Sequence, residues 1–324
     1  MRILLIPFSF LYYLAILLRG FFYSRGILKR HSLGAKVISV GNITWGGTGK
    51  TPAVLFIAER LMKEGHNPAI LIRGYGKDEQ VLLSRLAPQR VPVIVGKDRV
   101  KSGREAIARH LIDTILLDDG FQYRRLKRDL DIVCIDATNP FGNRCLIPAG
   151  SMREGLASLK RADIFLFTKT DLVKGQNKVK KLEVVLKKIN PDALIVKSIH
   201  SPSYFYKLSN EQLVDIETLR NKNIALLSAI GNPRSFEKTI LNMGLRSKKH
   251  FIFRDHHQYK DKELKKIEGY CAKNNIAVVI TTEKDAVKLQ NTRYRVRYMA
   301  LRIELKITQN EQRFFDRLSG IYNS

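Results

Sequence analysis

Short apolar runs recur along this chain, separated by stretches whose apolar residues return every three or four positions. Val37–Val40, Pro68–Ile72, Val91–Val95, Thr114–Leu117, Asp131–Ala137 and Ala162–Thr168 have the length and composition of strands in a buried sheet. Ala53–Leu61 and the stretch running to Arg109 read as helices between them. Strand–helix alternation of this kind, with right-handed crossovers, predicts a doubly wound parallel α/β sheet. Beyond it, Glu183–Ile189 is helical in pattern and Ala193–Val196 is a short strand. Asn223–Ile230 is a buried strand, and His250–Phe253 leads to Asp255-His256-His257. A helix over Asp261–Lys273 and a strand over Ile276–Thr281 follow. These predict a second, smaller α/β domain. The expected division is 1–30 for an amino-terminal segment, 31–190 for the first domain and 191–324 for the second.

The amino-terminal segment breaks the pattern. Ile3–Leu18 carries no charge and is bracketed by Arg2 and Arg19. As a helix it is about 24 Å long, short of the roughly 30 Å hydrocarbon core of a bilayer. Arg2, Arg19, Arg25, Lys29, Arg30, Lys36 and Lys50 all precede the first acidic residue, Glu59. A basic run beside an apolar helix is drawn to anionic lipid. The expectation is a helix lying in the cytoplasmic face of a membrane. The alternative is a buried hairpin of the soluble core.

The most informative stretch is Val37–Pro52, VISVGNITWGGTGKTP. A strand runs into Thr44-Trp45-Gly46-Gly47-Thr48-Gly49, and Lys50-Thr51 opens a helix. Glycines free the backbone to turn its N–H groups toward an anion, and the helix N-terminus adds its dipole. The lysine reaches the β/γ oxygens and the threonine hydroxyl ligates Mg²⁺, so the arrangement predicts a P-loop NTPase-like nucleotide site. Thr44 stands where the full phosphate-loop pattern has glycine.

In a parallel sheet, ligands gather at the carboxyl ends of the strands. Arg73-Gly74-Tyr75-Gly76 follows one strand, as a phosphate contact or a plain turn. Asp98 follows another and is read locally as a helix cap. Asp118-Asp119-Gly120 ends a third, where a carboxylate holds Mg²⁺ or its water. Thr168-Lys169-Thr170-Asp171 resembles, weakly, the base-reading motif of GTP-binding proteins.

Composition narrows the partners. The 324 residues carry a formal charge of +27, which calls for an anionic partner. Cys134, Cys145 and Cys271 are scattered, which suits a reducing cytoplasm and excludes a disulfide framework. A nucleic-acid binder is disfavoured, because aromatics are not interleaved with the basic clusters. A membrane-associated maturation GTPase is the remaining alternative. Against it, Thr168 replaces the guanine-reading Asn, and Trp45 stands where a related ATPase group has a second lysine.

VGNITWGGTGKTP, RGYG, VGKDR, LLDDGFQ, PFGN, IPAG with MREG, RADIFLFTK, DHH and TTEKDAVKL occur in that order. Together they resemble the tetraacyldisaccharide 4′-kinase family, the lipid A 4′-kinases of Gram-negative bacteria, from the first helix to about Leu289. Thr44 is usual in that family. Tyr123 in place of His, Met152 of Leu and Gly155 of Pro are departures. The resemblance implies ATP- and Mg²⁺-dependent phosphorylation of the 4′-hydroxyl of a tetraacyldisaccharide 1-phosphate, a lipid A precursor, at the cytoplasmic face of the inner membrane. It implies neither nucleic acid nor an obligate protein partner. Carried over by motif, Thr44, Trp45, Gly46, Gly47, Thr48, Gly49, Lys50 and Thr51 bind ATP, and Thr51, Asp118 and Asp119 hold Mg²⁺. Lys50, Asp98 and His256 are catalytic, with Asp98 deprotonating the acceptor and His256 pairing with it. Arg73, Tyr75, Gln122, Arg153 and Glu154 contact the substrate.

Overall fold

The computed structural model describes residues 3–74, 77–289 and 295–323. In chain order it contains α1 (Ile6–Ser24), β1 (Lys36–Gly41), α2 (Lys50–Lys63), β2 (Pro68–Ile72), α3 (Lys77–Leu86), β3 (Val93–Val95), α4 (Arg99–Arg109), β4 (Thr114–Asp118), β5 (Leu130–Asp136), β6 (Ile164–Thr168), α5 (Gln176–Ile189) and β7 (Leu194–Lys207). There follow β8 (Leu213–Val214), α6 (Glu217–Arg220), β9 (Ile224–Ser228), α7 (Pro233–Asn242), β10 (Ser247–Ile252), α8 (Asp261–Lys273), β11 (Val278–Thr282), α9 (Glu283–Leu289), β12 (Arg297–Gln309) and α10 (Glu311–Gly320). The chain forms two units, Met1–Gly76 with Leu83–Ile199 and Leu305–Ser324, and Lys77–Leu82 with His200–Glu304. Residues 305–324, expected in the smaller domain, therefore belong with the first unit.

In the first unit the strand order is β7-β6-β5-β1-β4-β2-β3, and every neighbouring pair is parallel. Successive strand residues point to opposite faces, and both faces are covered. On one face Ile38, Val40, Leu116, Ile132 and Leu166 pack with Ala53, Val54, Ile57 and Leu61 of α2 and with Phe314 and Leu318 of α10. On the other, Leu71, Ile115 and Leu117 pack with Val100 and Ala106 of α4, while Val133, Phe165 and Phe167 meet Leu182 and Leu186 of α5. This is the doubly wound arrangement that the apolar runs predict. The strand order reverses around β1, so its carboxyl end opens at the switch point where such sheets bind ligands.

The second unit repeats the principle with β10-β9-β11-β12, all parallel. Leu226 and Ile280 pack against Phe236 and Ile240 of α7, and Leu227 and Val279 against Leu264 and Ile267 of α8. The structure extends the short strand expected at Ala193–Val196 to the full length of β7, and adds α3, β12 and α10, which the pattern reading had left unassigned.

Helix α1 runs 19 residues, about 28 Å, six residues past the apolar run. Leu5, Ser9, Tyr12, Ile16, Gly20 and Tyr23, spaced three or four apart, are the covered stripe. Ser9 Oγ donates to Leu146 O at 2.9 Å and accepts from Ala149 N at 3.0 Å, and Tyr12 OH donates to Arg153 O at 2.9 Å. Phe8, Phe10, Leu11, Leu14, Leu17 and Leu18 are exposed, so α1 is not a core hairpin. Among the described residues it alone is long and apolar enough to cross a membrane.

Phe314 is fully buried between α2 and the sheet. Phe314→Ala is expected to cost about 3–5 kcal/mol, measured by urea unfolding. A loss below the measurement error would mean that α10 contributes nothing to the first unit.

Candidate active site

The loop after β1 turns most of its carbonyls onto donors, while several of its N–H groups keep no backbone acceptor. Asn42 Nδ2 donates to Thr44 O at 2.7 Å and to Thr48 Oγ1 at 2.8 Å. Thr168 Oγ1 donates to Thr48 O at 2.9 Å, and Lys169 Nζ to Gly47 O at 2.6 Å. Gly46 and Gly49 have φ of 123° and 87°, a region that side chains disfavour. Among the described residues, no backbone acceptor faces the N–H groups of Gly46, Gly47, Gly49, Lys50 or Thr51. The result is an anion cradle at the N-terminus of α2. Thr44 is buried, bridged to Met152, whereas Trp45 is 64% exposed and donates its N–H to Ser151 O.

Lys169, which the sequence offered only as part of a weak base-reading motif, is instead a brace. It adopts φ 57°, and its ammonium pairs with Asp136 at 2.6 Å in a nearly solvent-free site. Asn42 and Asp136 also escaped the sequence reading, since neither belongs to the glycine-lysine signature.

At the end of β4, Arg99 is buried and donates to the backbone carbonyls of Asp118 (2.8 Å) and Asp119 (3.1 Å). These bonds hold Asp119 in a left-handed conformation, φ 52°. Its carboxylate meets Arg153 Nη1 at 2.6 Å and Lys50 Nζ at 3.7 Å. Burial alone raises a carboxyl pKa, but the charges of Lys50 and Arg153 outweigh it and hold Asp119 far below the usual carboxylate range. Asp118 is buried beside it. Arg153 also reaches Asn42 Oδ1 at 3.4 Å, and Gln122 Nε2 donates to Asn42 O at 2.8 Å. Arg153, Gln122 and Asp119 thus converge with Lys50 on the loop.

Glu154 is buried and pairs with Arg161 at 2.6 Å. Arg73 is exposed just past β2, and Tyr75 lies outside the described residues. Asp98 caps α4, where Oδ1 accepts from Val100 N at 3.1 Å and Lys101 N at 3.3 Å. Its Oδ2 lies 3.4 Å from Arg125. What little burial it has raises its pKa; the Lys101 N–H, Arg125, the Val100 N–H and Tyr123 pull it below the ordinary value.

His256 belongs to the second unit. It too has positive φ, 62°. Its Nε2 lies 3.0 Å from Lys284 Nζ, which donates to Asp255 Oδ1 at 3.1 Å. The Lys284 ammonium thus bridges the His256 imidazole and the Asp255 carboxylate.

A glycine cradle, a helix-opening lysine and threonine, and an acidic pair at a neighbouring strand end define a P-loop nucleotide-binding phosphotransferase. The comparisons with known proteins narrow the class. The family model for the tetraacyldisaccharide-1-P 4′-kinase matches residues 1–81 and 77–322. The tetraacyldisaccharide 4′-kinase of Syntrophus aciditrophicus is 36% identical over 318 residues, covering 89% of this chain and 84% of that one. That of Bdellovibrio bacteriovorus is 36% identical over 310 residues, covering 90% of each. The crystal structure of LpxK from Aquifex aeolicus in complex with ATP covers 99% of both chains at 27% identity, with a TM-score of 0.74. The chain belongs to the tetraacyldisaccharide 4′-kinase family. Membership sets aside the maturation-GTPase alternative.

Lys169→Met is expected to lower stability by about 3–5 kcal/mol, because it strands the buried Asp136 charge, and to weaken ATP binding by releasing the Gly47 carbonyl. Urea unfolding and ATP titration measure the two effects. Unchanged ATP affinity would show that the cradle does not depend on this brace.

Proposed function

We propose that this chain performs its family's reaction, ATP-dependent transfer of a phosphoryl group to the 4′-hydroxyl of tetraacyldisaccharide 1-phosphate, through the cradle at the end of β1. The observation that carries the reading is the set of unengaged N–H groups beside Lys50, with Asp118 and Asp119 at the adjoining strand end. The loop from Thr44 to Thr51 holds the nucleotide phosphates, and Lys50 neutralises their oxygens. Phosphoryl transfer asks mainly for such positioning and charge neutralisation.

The oxygen donors of Thr51, Asp118 and Asp119 fit Mg²⁺, which is held by one or two carboxylates together with substrate phosphates. Among the described residues no group of three His, Cys, Asp or Glu side chains forms a closed metal cage, and Mg²⁺ needs none. Bound there, it supplies charge neutralisation on the transferring phosphoryl group.

Asp98 is the base for the acceptor hydroxyl. Its Oδ1 is committed to the helix cap, which fixes the carboxylate, and Oδ2, 3.4 Å from Arg125, is the oxygen that takes the proton. The depressed pKa keeps it ionised at neutral pH. The family resemblance assigns His256 to the same chemistry, as a supporting residue. Arg73, Tyr75, Gln122, Arg153 and Glu154 serve the acceptor. The exposed apolar face of α1 and the basic segment after it seat the chain on the cytoplasmic surface of the inner membrane, where the lipid acceptor resides.

Asp98→Asn keeps the cap acceptor and loses the base. Transfer of label from ATP to tetraacyldisaccharide 1-phosphate in detergent micelles is expected to fall about 10²–10⁴-fold, with ATP affinity unchanged. A variant that transfers at the parent rate would remove Asp98 from the chemistry. One that loses ATP binding would return it to a structural role.

A further inference from the structure

Three guanidinium groups converge on one buried tyrosine at the C-terminal end of α1. The Cζ atoms of Arg19, Arg30 and Arg124 lie 5.8, 5.8 and 5.2 Å from the Tyr23 ring centroid. Arg124 passes over Gly20, where an added Cβ would stand 3.3 Å from its Nη1. The neighbouring Arg161 and Arg128 are neutralised, by Glu154 at 2.6 Å and Asp131 at 2.7 Å. Among the described residues, no carboxylate lies within ion-pair distance of Arg19, Arg30 or Arg124. One aromatic ring offsets little of the repulsion among three cations. Burial first, then the charge of Arg161, push the Arg124 guanidinium down to about 10, against the opposing charge of Glu154.

Beside the cluster is a cavity of about 460 Å³ lined by Tyr23, Ser24, Lys29, Arg30, His31 and Lys127 among others, with no acidic residue. A converging set of cations beside an open cavity, with no described carboxylate in ion-pair contact with them, is complementary to a multiply charged anion.

The surroundings say which anion. Leu17, Leu18 and Phe21 of α1 are exposed next to the cluster, so the ligand carries apolar chains. Three unpaired guanidinium groups match a dianionic phosphomonoester better than a singly charged diester. The cluster is also tied to the nucleotide loop, since Arg19 Nη2 donates to Gln122 O at 3.0 Å and Gln122 Nε2 to Asn42 O at 2.8 Å.

We propose that Arg19, Arg30 and Arg124, with the adjoining cavity, bind the phosphomonoester already present on the lipid acceptor, at the end remote from the hydroxyl being phosphorylated. This assignment rests on the kinase reading above.

The test compares the full-length parent with Arg30→Gln and Arg124→Gln in detergent micelles. Two acceptors are used, tetraacyldisaccharide 1-phosphate and the same lipid without its phosphate. Each variant is expected to raise KM for the phosphorylated lipid about ten- to hundredfold, as for one or two lost charge-assisted hydrogen bonds. KM for ATP and for the dephosphorylated lipid should stay at parent values. Arg124→Lys, which keeps the charge, should recover most of the affinity, and so separates charge from packing. Equal losses on both acceptors, accompanied by weaker binding to phosphatidylglycerol vesicles, would overturn the assignment in favour of bulk membrane phospholipid. Parent-like kinetics on both would also overturn it. A parent chain that labels neither lipid would instead bring down the kinase reading, and this assignment with it.

Discussion

A loop that presents N–H groups to an anion must send its carbonyls the other way, and those carbonyls need donors of their own. Much of the first unit is arranged to meet that requirement. The donors are Asn42 from the end of β1, and Thr168 and Lys169 from the end of β6. Lys169 can approach a backbone carbonyl in a nearly dry environment only because Asp136, at the end of β5, neutralises it. Asp136 in turn spends its other oxygen on the N–H and hydroxyl of Thr138, at 2.9 and 2.6 Å. Three parallel strands ending side by side thus hold the cradle open from behind, so little reorganisation remains when phosphate binds.

The same loop is tied on its outer side to the segment carrying Arg153. Trp45 N donates to Ser151 O at 2.6 Å and Arg153 N to Ile43 O at 2.7 Å. This backbone pairing aims the Arg153 guanidinium at Asp119. The first helix binds that segment too, through Tyr12 to the carbonyl of Arg153 and through Ser9 to Leu146 and Ala149. The polar stripe of an otherwise apolar helix is therefore spent on the loop that orients a site residue.

The first-unit fold was legible because its signals are contiguous: each strand is an apolar run, and the glycine loop joins strand to helix within Val37–Lys50. Asp118 and Asp119 were legible for the same reason, as polar residues ending an apolar run. The braces were not, because their meaning lies in distant pairings. Lys169 sits 122 residues from the carbonyl it holds, and a local motif suggested base recognition instead. Arg153 and Asp119 are 34 residues apart, and the family resemblance, not spacing, brought Arg153 into view. The C-terminal elements are a different case. Leu301, Ile303, Leu305 and Ile307 alternate as a half-buried strand should, and Phe314 and Leu318 share a helix face. That α10 returns to the first unit is decided by a complementary surface on α2, which no local pattern encodes.

Tyr123, a departure from the pattern that the family resemblance implies, ties the capped Asp98 to the acidic strand end. Its hydroxyl donates to Asp98 Oδ1 at 3.4 Å, the oxygen that already accepts from Val100 and Lys101. The ring lies over the buried Arg99, 5.3 Å from its Cζ, and Arg99 anchors the Asp118 and Asp119 carbonyls. One aromatic residue therefore links the capped carboxylate to the acidic strand end. A phenol hydroxyl is donor and acceptor, but near neutral pH it does not take up a proton as histidine does. The substitution keeps a donor on the capping oxygen and removes a group that could itself become charged. The N–H groups of α4, Arg125 and the Tyr123 hydroxyl all favour the ionised form of Asp98. On the proposed assignment of Asp98 as the base, a weak base fixed in place suits phosphoryl transfer, whose loose transition state asks more for positioning of the hydroxyl than for strength of the base.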